Sequence, residues 1–521
     1  MKLQKAADRV IAVLGLALFG VLTGFSLFFT SYFALTYEEI PYQMTDLLPL
    51  VLALSGIAVW ILHLITGWML NGEERRQERR IRILLGLVLV CALAFGVWWV
   101  RAAKCIPLGD QASVCTAAEQ FRNGDFSMLT DKSYERYLYI HPHQLGLTAL
   151  TELIFLVFGN GNYMAFEYLN CLGVCVILYT GYRILGLLTE DRRARVFYLF
   201  LGAACFPLLF YVTFVYGEIP SMTFSGLALW CFLEYQMQRE EKGKKWIWLL
   251  LCAATCALAC LIRNNCMILL MAMGLILATT ALSERRLQPL LAAVLLVVVF
   301  AGARTGLRTF YEQRSGVAIN DGAPMILYVA MGMQKGEGAP GWSNGYILHN
   351  YWGASDFDAE ASTAMAVQDI RTSAKEFVDN PGYAFWFYVE KFTSQWNDPT
   401  YECFAMTHIN GEARGPVANS MFDGKLHALM CWFMNVYQTL IYGGVFLWVL
   451  QGFWKKKDLS VYILLVSVFG GFLFHMLWEA KGRYILPYFI LMLPMAAAGL
   501  SETARRAQVW IERKGILRKE E

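Results

Sequence analysis

The chain reads as an all-α integral membrane protein with about twelve transmembrane helices and two large loops outside the bilayer. Three observations predict this. Of its 521 residues, 57% are hydrophobic and only 16% charged, too apolar a balance for a water-soluble chain of this size. Long apolar runs recur at 10–35, 47–70, 83–100, 163–188, 196–214, 219–235, 246–262, 267–282, 289–306, 426–453, 459–478 and 484–500. Each meets or approaches the ~20 residues that cross ~30 Å of hydrocarbon. Basic residues gather in the short connections, and two long segments, 101–162 and 307–425, fall on the other side.

Orientation follows from the placement of charge rather than from the net value of +3, because cytoplasmic loops carry the excess Lys and Arg. One threading puts every basic cluster inside: Lys2, Lys5 and Arg9; Arg75 to Arg82; Arg192, Arg193 and Arg195; Lys242, Lys244 and Lys245; Arg285 and Arg286; Lys455 to Lys457; and Arg505 to Lys519. Both termini are then cytoplasmic and both large loops extracytoplasmic. The threading requires that 144–158, only 15 residues and interrupted by Thr148, Thr151 and Glu152, lie at the outer interface. The first run is too long for a signal-peptide core and lacks a small-residue cleavage site, so it is expected to remain as a helix.

Four units follow: an N-terminal hairpin with its basic linker (1–82), a transmembrane core that includes the first loop (83–306), the second loop (307–425), and three closing helices with a basic tail (426–521). Within the second loop, 358–379 predicts a soluble helix with an acidic start and an Asn380, Pro381 stop. The aromatic stretch 383–396 predicts an amphipathic helix suited to the headgroup level. No internal repeat is visible, which weighs against transporters built from inverted repeats.

The thirteen cysteines lie mostly inside spans, where they serve as small apolar packing residues. Cys105, Cys115 and Cys403 fall in the outer loops, where a bridge between Cys105 and Cys115 is permitted but not required. No CxxC or His-rich set supports a metal site.

The candidate chemistry sits at outer helix ends and loops. Asp110 in the first loop could be a general base or an ordinary solvated aspartate, with Glu119, Asp125 and Asp131 as competitors. His141 and His143 flank Pro142 at a helix start and could donate to a phosphate or a sugar, or simply shape the first turn. Glu218 stands at the lip of an apolar span, an unusual place for an acid that helix capping by a carboxylate also explains. Arg263, Lys481 and Arg483, with Glu479 nearby, are outer charges that run against the positive-inside trend. An anionic ligand would explain the cations, as would snorkelling to headgroups. Trp396, Asn397, Asp398 and Tyr401 combine aromatic faces with polar groups, a composition suited to binding a sugar or acceptor, or to an ordered turn. The spans themselves are nearly free of charge, unlike those of ion-coupled transporters.

On these residues the chain resembles the GT-C-type polytopic glycosyltransferases, the group that includes protein O-mannosyltransferases and lipid A aminoarabinose transferases (glycosyltransferase family 39-like). Asp110 is followed by an HPPL-like segment, His141, Pro142, His143, Gln144 and Leu145. Glu218, Ile219 and Pro220 stand where the family often has Asp-x-Pro. Leu261 to Asn264 close a later span, and Glu479, Gly482, Arg483, Tyr484 and Pro487 open the last. The likeness covers most of 83–500. Two features depart from it: the acid is followed by Gln111 rather than a second acid, and a hairpin precedes the first core helix.

The resemblance implies a GT-C-like fold and transfer of a sugar from a polyprenyl-phosphate-linked donor to a cell-envelope glycan, lipid or protein, with inversion and without a cofactor or nucleic acid. It assigns Asp110 as base, Arg263, Lys481 and Arg483 to the donor phosphate, and His141, His143, Glu218 and Glu479 to supporting roles. A flippase for lipid-linked saccharides, or a polysaccharide polymerase or ligase, are the alternatives.

Overall fold

The computed structural model describes residues 2–33, 41–237, 242–452 and 459–513. Lys455, Lys456, Lys457, Lys514, Arg518 and Lys519 lie outside them, as do the last residues of the runs 10–35 and 426–453. Every one of the twelve apolar runs is met by helix. Among the described residues nine helices are long and apolar enough to cross a membrane, or ten if one bent pair counts as a single span. The fold is the expected all-α one.

The departures have local causes. The first helix stops at Phe28, and Phe29–Phe33 pairs antiparallel with Pro41–Thr45. Aromatic and β-branched residues favour that pleated surface. The run 196–214 is broken into Arg192–Ala203 and Phe206–Thr213, which meet at 47°. Pro207 opens the second piece and supplies no N–H to continue the first. The run 459–478 contains only a 15-residue α-helix, Ile463–Leu477, about 22 Å long and so shorter than the hydrocarbon core. Helix Gln288–Ser315 continues past Gly306, its last turns carrying the Arg308–Glu312 pair at 3.1 Å.

Helix Leu145–Phe158 has 14 residues and packs on the end of Lys242–Ile262. A Cβ at Gly146 would collide with the Leu261 carbonyl, so only glycine permits that approach. In the second loop, Ala359–Asp379 forms with Asp358 as its N-cap, accepting from the N–H groups of Glu360 and Ala361 at 2.8 and 3.1 Å. Pro381–Trp396 follows it.

The two large loops fold into one cap. Ile106 N–H donates to Ile409 O and Gly411 N–H to Lys104 O, both at 3.1 Å, while Ala323 N–H donates to Ile140 O at 2.9 Å. At the far end of the same helices Arg192 bridges Glu74 and Glu78 at 3.0 and 2.9 Å. The bundle therefore has a cap end and a basic end. The first described helix leads toward the cap and the last, Leu486–Arg513, leads away from it.

Candidate functional site

Beneath the cap lies a cavity of about 630 Å³. Its wall contains Asp110, His141, His143, Arg263, Glu479, Lys481 and Arg483, residues that the chain spreads over 370 positions. Each is delivered by an interruption of helix. Asp110 is the first residue of helix Asp110–Arg122, after Gly109 at φ +55°, where the helix dipole favours an anion. Arg263 is extended backbone between Lys242–Ile262 and the turn Asn264–Cys266. Glu479 to Arg483 occupy the break between Ile463–Leu477 and Leu486–Arg513.

Asp110, about half exposed to the cavity, stands 3.8 Å from the Arg483 guanidinium. Arg483 also faces the rings of Phe214, Tyr216 and Tyr484 at 5.4–5.7 Å. Arg263 pairs with Glu218, which is wholly buried and lies behind the wall rather than in it. Its guanidinium lies 5.1 Å from the Tyr484 ring. Lys481 stands 5.0 Å from the centre of Trp342. Buried acids and aromatic faces thus hold three cations around one space, an arrangement that attracts an anion while still orienting it.

Glu479 accepts from Tyr484 Oη at 3.1 Å. Burial raises its carboxyl above the ordinary range, against the pull of Lys481 and Arg483. His141 Nδ1 lies 3.1 Å from Tyr328 Oη, and the His141 and His143 rings are 5.7 Å apart. Enclosure pushes His141 down to about 4 and His143, which also feels His141, down to about 3. Both imidazoles are neutral at physiological pH, each able to donate one hydrogen bond and accept another.

The turn at 396–401 corrects an expectation. Trp396, Asn397, Asp398 and Tyr401 are all buried and none lines the cavity. Asn397 Nδ2 donates to Phe29 O at 2.7 Å, and Tyr401 Oη is within 3.2 Å of Tyr442 Oη. Asp398 accepts from Thr400 N–H and Oγ1 and from Glu402 N–H at 2.7–2.9 Å. Burial still pushes its carboxyl up to about 6. With polar groups turned inward, these four are scaffold, not a sugar platform.

What the turn presents instead is Glu402. Tyr401 and Glu402 both adopt left-handed backbone, at φ +49° and +62°, a conformation uncommon outside glycine that persists only where surroundings enforce it. Asp398 enforces it here. Glu402 lines the cavity and accepts the Arg483 backbone N–H at 3.0 Å. It is a second acid beside Asp110 that no motif marked. Gln111, at the position where the family pattern has its second acid, is structural: it accepts from Val215 N–H at 2.9 Å and donates to Met406 O at 3.2 Å. Lys391 was equally unmarked. Its ammonium donates to Gly332 O and Trp478 O at 2.5 and 2.8 Å, and burial lowers it to about 7, with Glu479 pulling the other way. Cys105 and Cys115 are free, buried thiols.

Among solved structures the chain is similar to the archaeal oligosaccharyltransferase AglB from Archaeoglobus fulgidus in complex with an inhibitory peptide and a dolichol-phosphate. The identity is 13%, 84% of this chain and 52% of that one are covered, and the TM-score is 0.45. It is also similar to ArnT from Cupriavidus metallidurans bound to undecaprenyl phosphate, at 13% identity over 84% of this chain and 81% of that one, with a TM-score of 0.33. The chain spans about half the length of the oligosaccharyltransferase structures it matches. No curated protein sequence matches the chain. A family model described as "Conserved hypothetical integral membrane protein" matches residues 3–504, and the chain belongs to that family.

Proposed function

We propose that the protein is a membrane glycosyltransferase that moves a sugar from a polyprenyl-phosphate-linked donor to an extracytoplasmic glycan, lipid or protein, with inversion at the sugar carbon. The observation that carries this reading is the single cavity in which Asp110 opposes Arg263, Lys481 and Arg483. Direct displacement needs two things: a base for the acceptor proton and stabilisation of the charge that develops on the leaving phosphate. Asp110 supplies the first and the three cations the second. Glu218, Glu402 and Glu479 orient those cations. The neutral His141 and His143 are suited to sugar hydroxyls.

A narrow apolar slot of about 70 Å³ supports a lipid donor. It shares Arg263, Asn265 and Tyr484 with the cavity, so a phosphate at Arg263 would have apolar surface beside it for the start of its isoprenoid. The basic residues at the far end favour a cytoplasmic placement for that end, with both termini. Labelling cysteines placed at Arg193 and Ser343 from outside intact cells should modify only the latter; the opposite pattern would invert the topology.

Asp110→Asn keeps size but removes basicity. Transfer of sugar from a polyprenyl-phosphate monosaccharide should fall by about 10²–10⁴ while expression and donor binding persist. Glu119→Gln and Asp125→Asn, neither in the cavity wall, should be far milder. Near-normal transfer by Asp110→Asn would remove the base. Donor lipid that crosses the bilayer without losing its sugar would favour a flippase instead.

A further inference from the structure

The N-terminal hairpin, which precedes the core helices and departs from the resemblance, reaches into the cavity. Phe33, the last residue of its first strand, is part of the wall. Its ring centre lies 4.4 Å from that of Trp342, and Ala339 and Ala480 complete the cluster.

Trp342 is held on several sides. Its Nε1–H donates to Ser394 Oγ at 3.0 Å. Gly341 before it is pinned at φ +76°, its N–H donating to Gln334 O and its carbonyl accepting from Ala480 N–H, both at 2.8 Å. The Lys481 ammonium lies 5.0 Å from its ring centre. Phe33 supplies the packing face for the indole, and a cation over an indole depends on ring orientation.

The hairpin is fastened where it can transmit this. Ser31 N–H donates to Asn397 O at 3.0 Å and Asn397 Nδ2 returns a bond to Phe29 O. Gln43 Nε2 donates to Thr393 Oγ1 at 2.9 Å. Strand alternation puts Ser31 and Phe33 on one face and Thr30 and Tyr32 on the other. Tyr32 Oη accordingly turns away to Cys431 O, at 3.4 Å.

We propose that the N-terminal hairpin is a working part of the donor site, with Phe33 acting as a positioning residue that holds Trp342 under the Lys481 ammonium so that the ammonium meets the donor phosphate. This rests on the donor reading given above. The probe is undecaprenyl phosphate, titrated into the detergent-purified full chain, with thermal melting as the check on folding. Phe33→Ala and Phe33→Leu should each weaken binding by about three- to tenfold, the scale of one cation–π contact. Phe33→Tyr should bind within about twofold of wild type, because an aromatic face is kept.

Phe33→Ala made in a Lys481→Met background should weaken binding no further than Lys481→Met alone, since the two changes remove the same contact. Tyr32→Phe, on the opposite face of the strand, should bind like wild type. The hairpin's role is overturned if Phe33→Leu binds normally, which would make the ring mere filler, or if the Phe33 and Lys481 effects multiply. Absence of binding by wild type would overturn the donor reading itself, and this role with it.

Discussion

The two ends of the bundle are both rich in arginine, yet they use it differently. At the basic end Arg192 and Arg195 bridge Glu74 and Glu78 with side chains 22–30% exposed on the arginines and up to 81% on the acids. At the cap end Arg263 and Arg483 retain only 10%, and the partner of Arg263, Glu218, none. Exposed ion pairs add little to stability because water already solvates both charges. Buried charges must be held by partners, since an unpaired one is costly. Charge alone therefore does not mark the site; buried charge arranged around an open volume does.

The sharpest way to break the comparison is to remove one partner at each end. Glu218→Gln leaves Arg263 buried without its counter-charge and should destabilise the protein by about 3–5 kcal/mol, read as a large drop in melting temperature in detergent.

A pH titration sharpens it further. His141 and His143 resist protonation in the folded state, titrating near 4 and 3 against about 6.5 when unfolded. The unfolded chain then binds more protons below pH 6.5, so stability should fall as pH drops from about 6.5 toward 4. The double variant His141→Asn, His143→Asn should flatten that part of the profile, and an unchanged profile would mean that the pair does not stay neutral.

The smallest effect belongs to the basic end. Arg192→Ala should lower the melting temperature far less than Glu218→Gln, because water already solvates both charges of its ion pairs, and should leave transfer unchanged. A loss as large as that of Glu218→Gln would erase the distinction between the ends.

Much of the site was legible one residue at a time. Arg263, Glu479, Lys481 and Arg483 stand out in sequence as charges at the outer ends of apolar runs, where lipid makes polar groups expensive, while Asp110, His141 and His143 stand out in the first outer loop by the motif they resemble. They do share one wall. Glu402 and Phe33 gave no such signal. Glu402 enters the cavity only because Asp398 holds two consecutive residues in left-handed backbone. Phe33 enters because a run that reads as continuous helix ends at Phe28 and turns into a strand. The turn at 396–401 misled for the converse reason: aromatic and polar residues in a row suit a ligand or a buried joint equally, and only packing shows which way the polar atoms point.

By itself the sequence determined what hydrophobicity can determine: an all-α chain whose long apolar runs become helices able to cross a membrane, because hydrocarbon admits only internally bonded backbone. Tertiary structure decided the rest. Helix ends separated by hundreds of residues converge on one cavity, the two loops join into a single cap, and a hairpin outside the core supplies part of the wall. Those outcomes depend on side-chain packing and on hydrogen bonds between distant segments, which leave no periodicity in a linear chain.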